Sequence, residues 1–513
     1  MQQYYVTTPI YYVNDEPHLG HIYTTIAADV LARHQRLSGK DTFFLTGVDE
    51  HGQKVQQAAE AREIEPIALA DQVVARYESL WPELSISHDD FIRTSSDRHH
   101  KAVQAMWRRL ENAGAIYKGF YEDWYCVPCE TYWTETQLKD AECWEAHQCP
   151  DCKRDVEKVQ EETYFFRLSA YQDRLLAYIK ENPDFIAPES RRNEVVSFVE
   201  GGLRDLSVSR TTFSWGVPVP GDEKHVVYVW IDALTNYLTA VGYPEQENPE
   251  RWPADLHLIG KDILRFHAVY WPCMLMAAEL PLPKRIFAHG WWTVEGEKMS
   301  KSKGNALRPA DLLDKYDADV LRYFLLREVP FGADGDFSFD ALKARYNSEL
   351  ANDVGNLLNR SLAMLKKYNG CVLGEVGEEQ ASDRALIADV EGMQRDVDEL
   401  LERQAFHLAL ERISSVVKHG NRYVEDNAPW ALAKTEDTAR LNTVLYHLVE
   451  SLRLIAVQLS PFMPEKMALM LSQILNKDVD VNTLRLSDEA GWGQLLSGHQ
   501  CQAPSPIFPR LDQ

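Results

Sequence analysis

No apolar run in this 513-residue sequence is long enough to cross a bilayer: the longest uncharged stretch near its middle, Ala268 to Ala278, falls well short of the roughly 20 residues required. Nor is a secretory signal read, because Met1 to Asn14 has no basic start, no long apolar segment and no small-residue cleavage site. The cytosol is the expected compartment, with no membrane partner. Cysteine is scarce, at 8 residues, and in a reducing cytosol disulfides are disfavoured. Positive charge is in deficit: 54 Lys and Arg stand against 78 Asp and Glu, a net −24 that repels polyanions at long range. A nonspecific nucleic-acid coat is thereby excluded, whereas a partner held on a local basic strip is not. What the chain does have is 45% hydrophobic residues with 13 Trp, 23 Tyr and 18 Phe, enough for several cores. At roughly 150 residues per domain, three or four domains are expected.

The first segment has βαβ grammar. A β-rich run from Tyr4 to Thr8 is followed by a turn with Pro9 and Pro17. Leu19, Ile22, Ile26 and Val30 then step by three and four, one stripe of a helix that Gly39 ends. Thr42 to Thr46 reads as a buried strand. The grammar returns at Val226 to Trp230, at Leu256 to Ile259 before an apolar helix around Ile263 to Ala278, and at Arg285 to His289. Strands alternating with helices predict an α/β fold with a Rossmann-like, doubly wound parallel sheet. About 100 residues of different character separate its halves and read as an insertion. No proline occurs between Pro330 and Pro429. There Leu386, Val390, Met393, Val397 and Leu400, then Phe406, Leu410, Ile413 and Val417, carry helical spacing, which predicts an all-α bundle.

Two motifs carry phosphate chemistry. His18-Leu19-Gly20-His21 places two imidazoles at a helix N-terminus, where unpaired backbone amides and the positive end of the dipole favour a phosphate and Gly20 lets it approach. Taken alone, the pattern also fits two ordinary surface histidines. Lys298-Met299-Ser300-Lys301-Ser302, followed by Lys303, is a cationic loop suited to a triphosphate; its bland alternative is a solvated basic loop. The two reinforce each other when one opens a dinucleotide-type fold and the other follows its last strand. Within the insertion, Cys126 and Cys129 form one CxxC knuckle and Cys149 and Cys152 another, a spacing that suits a tetrahedral structural Zn²⁺. Cys143 and His147 lie between the knuckles and offer an alternative closure, with Cys143 taken as spare.

HLGH with KMSKS resembles the signature pair of class I aminoacyl-tRNA synthetases. Within that class the surrounding residues resemble the methionyl-tRNA synthetase family: TTPIYYVNDEPHLGH (Thr7 to His21), TGVDEHG (Thr46 to Gly52), YVWIDALTNY (Tyr228 to Tyr237), IGKDILRFHAVYWP (Ile259 to Pro272), HGWW, KMSKSKGN and NRYVEDNAPWALAK (Asn421 to Lys434). The resemblance implies ligation of L-methionine to tRNA(Met) in two steps through methionyl-adenylate, with ATP consumed and Mg²⁺ accompanying it. His18, Gly20 and His21 would then serve the α-phosphate, and Lys298 and Lys301, with Ser300 and Ser302, the β- and γ-phosphates. Asp262 matches the position near the ribose, although it also reads as a helix N-cap.

For the amino acid, an anion must meet the ammonium and an apolar, polarizable wall the thioether. Asp49 supplies the anion. Ile10, Tyr12, Trp230, Ala233, Leu234, Tyr237, Ile263, His267 and Trp271 resemble the family's pocket, with Leu234 standing where some members have Pro. Asn356 and Arg360, at i and i+4, and Trp430 are implied readers of the CAU anticodon, by hydrogen bonds and stacking. The expected division is 1–114 and 218–295 for the catalytic halves, 115–217 for the zinc-bearing insertion, 296–345 for the KMSKS loop and stem-contact segment, and 346–513 for the anticodon-binding bundle. With no appended oligonucleotide-binding barrel read after the bundle, a monomer is expected.

Overall fold

Seven parallel strands position the site: β1 (Gln3–Thr7), β2 (Tyr11–Tyr12), β3 (Asp41–Asp49), β4 (Asp90–Arg93), β5 (Ile186–Ala187), β6 (Leu256–Gly260) and β7 (Ile286–His289). They belong to a computed structural model that describes residues 2–13, 16–129, 131–141, 145, 147–294, 296–298, 307–435 and 437–511. Leu45 is opposed by Thr7 and by Asp90, so β1 and β4 flank β3, and β2 takes over from β1 opposite Val48. On its other edge β1 pairs with β6, then β7, then β5. Between β1 and β6 the chain order reverses. In such a sheet the crevice opens there, at the carboxyl ends of the strands.

Helix α1 (Leu19–Leu37) packs on β1, β3 and β6. Further along the chain come α2 (Asp97–Asn112) and, packed against it, α3 (Val229–Thr239). That last helix corrects the expected strand Val226 to Trp230. Asp222–Val227 pairs antiparallel with Ser209–Arg210 and Pro218–Val219 in a small separate sheet, and Val229 and Trp230 open α3. A run of β-branched and aromatic residues suits any buried surface, and here tertiary packing decided which. The helix expected around Ile263 to Ala278 is divided into a tight turn Lys261–Ile263, a widened turn Phe266–Tyr270 and α4 (Trp271–Ala277). Pro272 near its start has no amide to donate, so the ladder cannot run through. β5 lies within 115–217, yet pairs with the edge of the main sheet. The rest of that region is built on an antiparallel hairpin, Ile116–Cys126 with Glu157–Phe166, which carries the four knuckle cysteines near its outer end.

After α5 (Ala318–Arg327) the bundle follows: α6 (Asn356–Asn369), α7 (Ala381–Glu402), α8 (Phe406–Asn427), α9 (Thr438–Leu459) and α10 (Pro464–Leu475). Leu386, Val390, Met393 and Val397 are buried along α7 as expected, with Leu401 rather than Leu400 as the fully buried end of the stripe. α9 is buried almost all round and forms the bundle's axis. Arg322 on α5 joins the bundle to α1. Its guanidinium donates to Asp29 Oδ2 at 2.6 Å, to the carbonyls of Pro461 and Phe462 at 2.8 and 2.9 Å, and to that of Leu84 at 3.1 Å. Asp29 also accepts from Arg33 at 2.8 Å and from the amide and hydroxyl of Ser87 at 2.7 and 2.6 Å.

Burial alone would raise the Asp29 carboxyl; Arg33, Arg322 and Ser87 overcome it and hold the group at about 2. Its folded value thus lies below its unfolded one, so its contribution is present above about pH 4 and lost as the pH falls towards 2. Chemical denaturation across that range should show the loss in the parent chain and a flatter profile in Asp29→Asn. Arg322→Ala, which leaves the carboxylate buried and short of its partner, should cost roughly 3–5 kcal/mol at pH 7.

Candidate active site

At the start of α1, His18 is the cap rather than a helical residue. Its Nδ1 accepts the Gly20 amide at 3.1 Å, while His21 Nδ1 accepts the His18 amide at 3.3 Å and the Tyr77 hydroxyl at 3.0 Å. A ring nitrogen that accepts carries no proton, so each neutral ring keeps its proton on Nε2. The rings stack with centroids 3.6 Å apart. Burial pushes both below the ordinary histidine value; Asp262 pulls His18 the other way, and His18 lowers His21 further. The first amides of the helix were expected to be open, but those of Gly20 and His21 are taken, by the His18 ring and by its carbonyl at 3.0 Å. Two neutral imidazole N–H groups are left as donors at this corner. Gly20 serves the cap: a Cβ there would stand 3.1 Å from His18 Cε1.

These rings line a cleft of about 1260 Å³ at the switch point, with Asp49 from the end of β3, Asp262 beyond β6 and His289 at the end of β7. Trp291 Nε1 donates to Asp262 at 3.1 Å, and Lys261 lies 4.2 Å over the Trp291 ring while bonded at 2.7 Å to Asp334. His289 and Thr24, which sequence reasoning did not select, meet at 2.6 Å. His289 Nδ1 donates to the Gly290 carbonyl at 2.8 Å, so its Nε2 accepts from Thr24. The only written signal for His289 was its place beside the tryptophans of HGWW.

Ile10, Tyr12, Trp230, Ala233, Leu234, Tyr237, Ile263 and His267 line the cleft's apolar side. Trp230 stacks on Phe266, centroids 3.6 Å apart. His267 Nδ1 donates to the Ile263 carbonyl at 3.0 Å, leaving Nε2 to accept the Tyr237 hydroxyl at 2.8 Å. Burial lowers this imidazole to about 4, against the bond to Ile263 and the charge of Asp262, so it is neutral at pH 7. Trp271 is placed otherwise: fully buried, it stands behind Tyr237 at 6.1 Å and not on the cleft surface. Asp232 was not selected either. It is wholly buried beneath this wall, accepting from His51 Nδ1 at 2.6 Å and His99 Nε2 at 2.7 Å. An acid inside the apolar run VWIDAL was its one visible sign.

The backbone of Lys298 ends a short hairpin, Trp292–Val294 with Glu297–Lys298. Its side chain, and all of Ser300, Lys301 and Ser302, lie outside the described residues, as does Cys143. Leu307 and Arg308, where the description resumes, line the cleft. In the insertion the sulfurs of Cys126, Cys129, Cys149 and Cys152 lie within 4.8 Å of one another, with Cys126 to Cys152 at 3.5 Å and Cys129 to Cys149 at 3.8 Å. Zinc–sulfur bonds of about 2.3 Å at tetrahedral angles put sulfurs roughly 3.8 Å apart, so the donor set fits that ion. His147 stacks on Trp124 with centroids 4.5 Å apart and is not in the group.

Far along the chain, Asn356 and Arg360 stand a turn apart on α6, and the Arg360 guanidinium lies 6.0 Å from the half-exposed Trp430 ring. Left-handed Ala428 turns the chain between α8 and the short helix Pro429–Leu432 that presents Trp430. Arg360 and Trp430 thus meet, with Asn356 one turn before Arg360 on the same helix.

The family described as tRNA synthetases class I (M) matches residues 4–362, and the anticodon binding domain of methionyl tRNA ligase matches residues 373–513. A methionine–tRNA ligase of Caldanaerobacter subterraneus is 51% identical over 99% of this chain and 79% of its own length. One of Brucella suis is 49% identical over 99% and 98%. Mycobacterium tuberculosis methionyl-tRNA synthetase solved in complex with methionyl-adenylate is similar in structure, with a TM-score of 0.93 and 47% identity over 99% of this chain and all of that one.

The imidazole arrangement makes its own prediction. In ¹⁵N-resolved histidine spectra, His18 and His21 should appear as Nε2–H tautomers at pH 7 and titrate on the acid side of 6.5. Acid should release the His18 cap, visible as loss of the shifted Gly20 amide resonance.

Proposed function

The chain belongs to the methionyl-tRNA synthetases of class I, and on that premise we propose how its own residues divide the work of joining L-methionine to tRNA. The reaction has two steps. The methionine carboxylate attacks the α-phosphorus of ATP, expelling pyrophosphate and leaving methionyl-adenylate; a tRNA terminal hydroxyl then takes the methionyl group and AMP departs.

In our reading His18 and His21 donate their Nε2–H groups to the α-phosphate, where negative charge concentrates as the bond forms. Supporting this is the pair of neutral rings fixed by their Nδ1 acceptors. Fixed donors that need not reorganise are the most effective kind for such charge. Lys298 and Lys301, with Ser300 and Ser302, take the β- and γ-phosphates and the departing pyrophosphate, while Mg²⁺ belongs to the incoming nucleotide. Asp262 takes the ribose. Asp49 holds the ammonium, and Ile10, Tyr12, Trp230, Ala233, Leu234, Tyr237, Ile263 and His267 enclose the side chain, with Trp271 supporting Tyr237 from behind. The Tyr237 hydroxyl and neutral His267 form a polar but uncharged end suited to a thioether.

Cys126, Cys129, Cys149 and Cys152 would hold Zn²⁺, which when bound supplies structural cross-linking; without it, burial, first among the causes, pushes Cys126 up to about 12 and keeps it a neutral thiol. A reducing cytosol keeps these thiols available. Asn356, Arg360 and Trp430 read the CAU anticodon, the tryptophan by stacking. The division of labour follows 1–114, 115–217, 218–295, 296–345 and 346–513, with β5 returned from the second segment to the catalytic sheet. One chain supplies every residue named, which supports a monomer as the working unit.

The observation that carries this reading is the convergence of the neutral histidine pair, Asp49 and the Trp230 wall on one cleft at the switch point. ATP–pyrophosphate exchange over all twenty amino acids should depend on methionine; exchange driven by another amino acid would overturn the assignment. Trp430→Ala should leave exchange near the parent rate and lower aminoacylation about 5- to 150-fold, the equivalent of roughly 1–3 kcal/mol of stacking. Equal losses in both assays would make Trp430 a folding residue. Cys149→Ser should lose about one equivalent of zinc by metal analysis and loosen the hairpin, whereas Cys143→Ser should do neither.

A further inference from the structure

The two ends of the amino-acid pocket come from parts of the chain that no strand ladder connects. The anion is Asp49, the last residue of β3; the wall that carries Trp230, Ala233, Leu234 and Tyr237 is α3. Between them runs a buried chain of polar contacts. The His51 amide approaches Asp49 Oδ1 at 3.4 Å, and its Nδ1–H reaches Asp232 Oδ2 at 2.6 Å across 181 positions of sequence. The other oxygen of Asp232 accepts from His99 Nε2 at 2.7 Å, and His99 Nδ1 lies 3.0 Å from the Thr239 hydroxyl at the far end of the same helix. His100 Nε2 meets His51 Nε2 at 3.4 Å, and Trp215 sets its edge against His51. Asp232 and His99 are wholly buried and His51 nearly so.

We propose that Asp232 is a positioning residue which, through His51, sets the distance between the ammonium anchor and the thioether wall, and so fixes the length of side chain that the site accepts. The proposal rests on the pocket reading given above. Two short bonds from opposite sides define where α3 sits relative to the end of β3, and a carboxylate is the group that can accept both at once. Burial would raise this carboxyl; the two histidines overcome burial and hold it well below the ordinary range, which keeps both oxygens available as acceptors. A misplacement of about 1 Å in such a frame costs on the order of 100-fold in rate, and a hydrophobic wall distinguishes one methylene by only about 10- to 200-fold. Small shifts of α3 therefore matter more than any single wall contact.

The test is ATP–pyrophosphate exchange by the full chain. Asp232→Asn and His51→Leu should each raise the KM for methionine at least tenfold, with the KM for ATP changed less than twofold. The double variant should be no worse than the worse single one, because both remove the same link. His51→Asn, whose amide nitrogen can occupy the place of Nδ1, should return the KM to within about threefold of the parent. Discrimination against L-ethionine, one carbon longer, should fall at least fivefold in Asp232→Asn and recover in His51→Asn. Parallel rises in both KM values, additive losses or failure of His51→Asn to rescue would overturn the proposal. Should Asp232→Asn not accumulate as folded protein, the two His51 variants decide by themselves. Asp49→Asn separates the premises: an unchanged KM for methionine there overturns the pocket reading, whereas a raised one beside an unaffected Asp232→Asn overturns the positioning role alone.

Discussion

Asp29 and Arg322 meet at 2.6 Å with no exposure to water, and both ends of the molecule are referred to that contact. α1 begins at the cleft with the His18 cap and reaches Asp29 eleven positions later, roughly 16 Å along a rigid rod. Arg322 in turn is bonded to the carbonyls of Pro461 and Phe462, where α9 hands over to α10. A buried pair of this kind contributes little net stability, since desolvation offsets most of the attraction, but it tolerates almost no change of register. The His18–His21 corner is thus built on a helix whose other side is fixed to the bundle that carries Trp430. Apolar packing is continuous across the same junction, so catalytic sheet and bundle share one core.

At the cleft the same economy of charge appears in a different form. The imidazoles at the phosphate corner are neutral because their Nδ1 atoms are already used as acceptors and because they are buried. A pair of imidazolium ions would hold the resting triphosphate tightly, whereas neutral N–H donors gain most where charge grows during reaction, which is what lowers a barrier. His267, on the apolar side of the cleft, is treated alike, its protonated form suppressed by burial. The cleft's imidazoles therefore present dipoles, with the carboxyl groups of Asp49 and Asp262 beside them.

Much of this was legible in the sequence, for local reasons. Strand and helix periods exposed β1, β3, β6, β7, α1 and the bundle, because each buries one face over many residues. Two CxxC pairs exposed the sulfur cluster, since ligand spacing is a local property. Resemblance supplied the pocket residues, and the structure gathers all but Trp271 onto the cleft among those described. The failures are equally physical. Val226 to Trp230 was read as strand since its residues suit any buried surface, and only the fold shows Val229 entering a helix. Asp232 was passed over because its partners, His51 and His99, lie 181 and 133 positions away. Of the free amides expected at α1, that of Gly20 was lost to a capping ring, which depends on one side-chain rotamer, and that of His21 to the His18 carbonyl.

The rim of the cleft has a further consequence. Arg76 and Arg308 line the cleft and are bonded to Glu16 and Asp311; Lys261, beside its lining residues Gly260 and Asp262, is bonded to Asp334. In a molecule of net charge −24, three cations at or beside the cleft are thus held by carboxylates. At these three cations an arriving anion trades places with a carboxylate already there. Binding is then an ion exchange in which each cation contributes only its preference for one anion over another. A lone phosphate or sulfate offers too little to displace three partners, while an extended chain of phosphates can compete for several together. The carboxylates at these cations therefore weigh more against small anions than against extended ones.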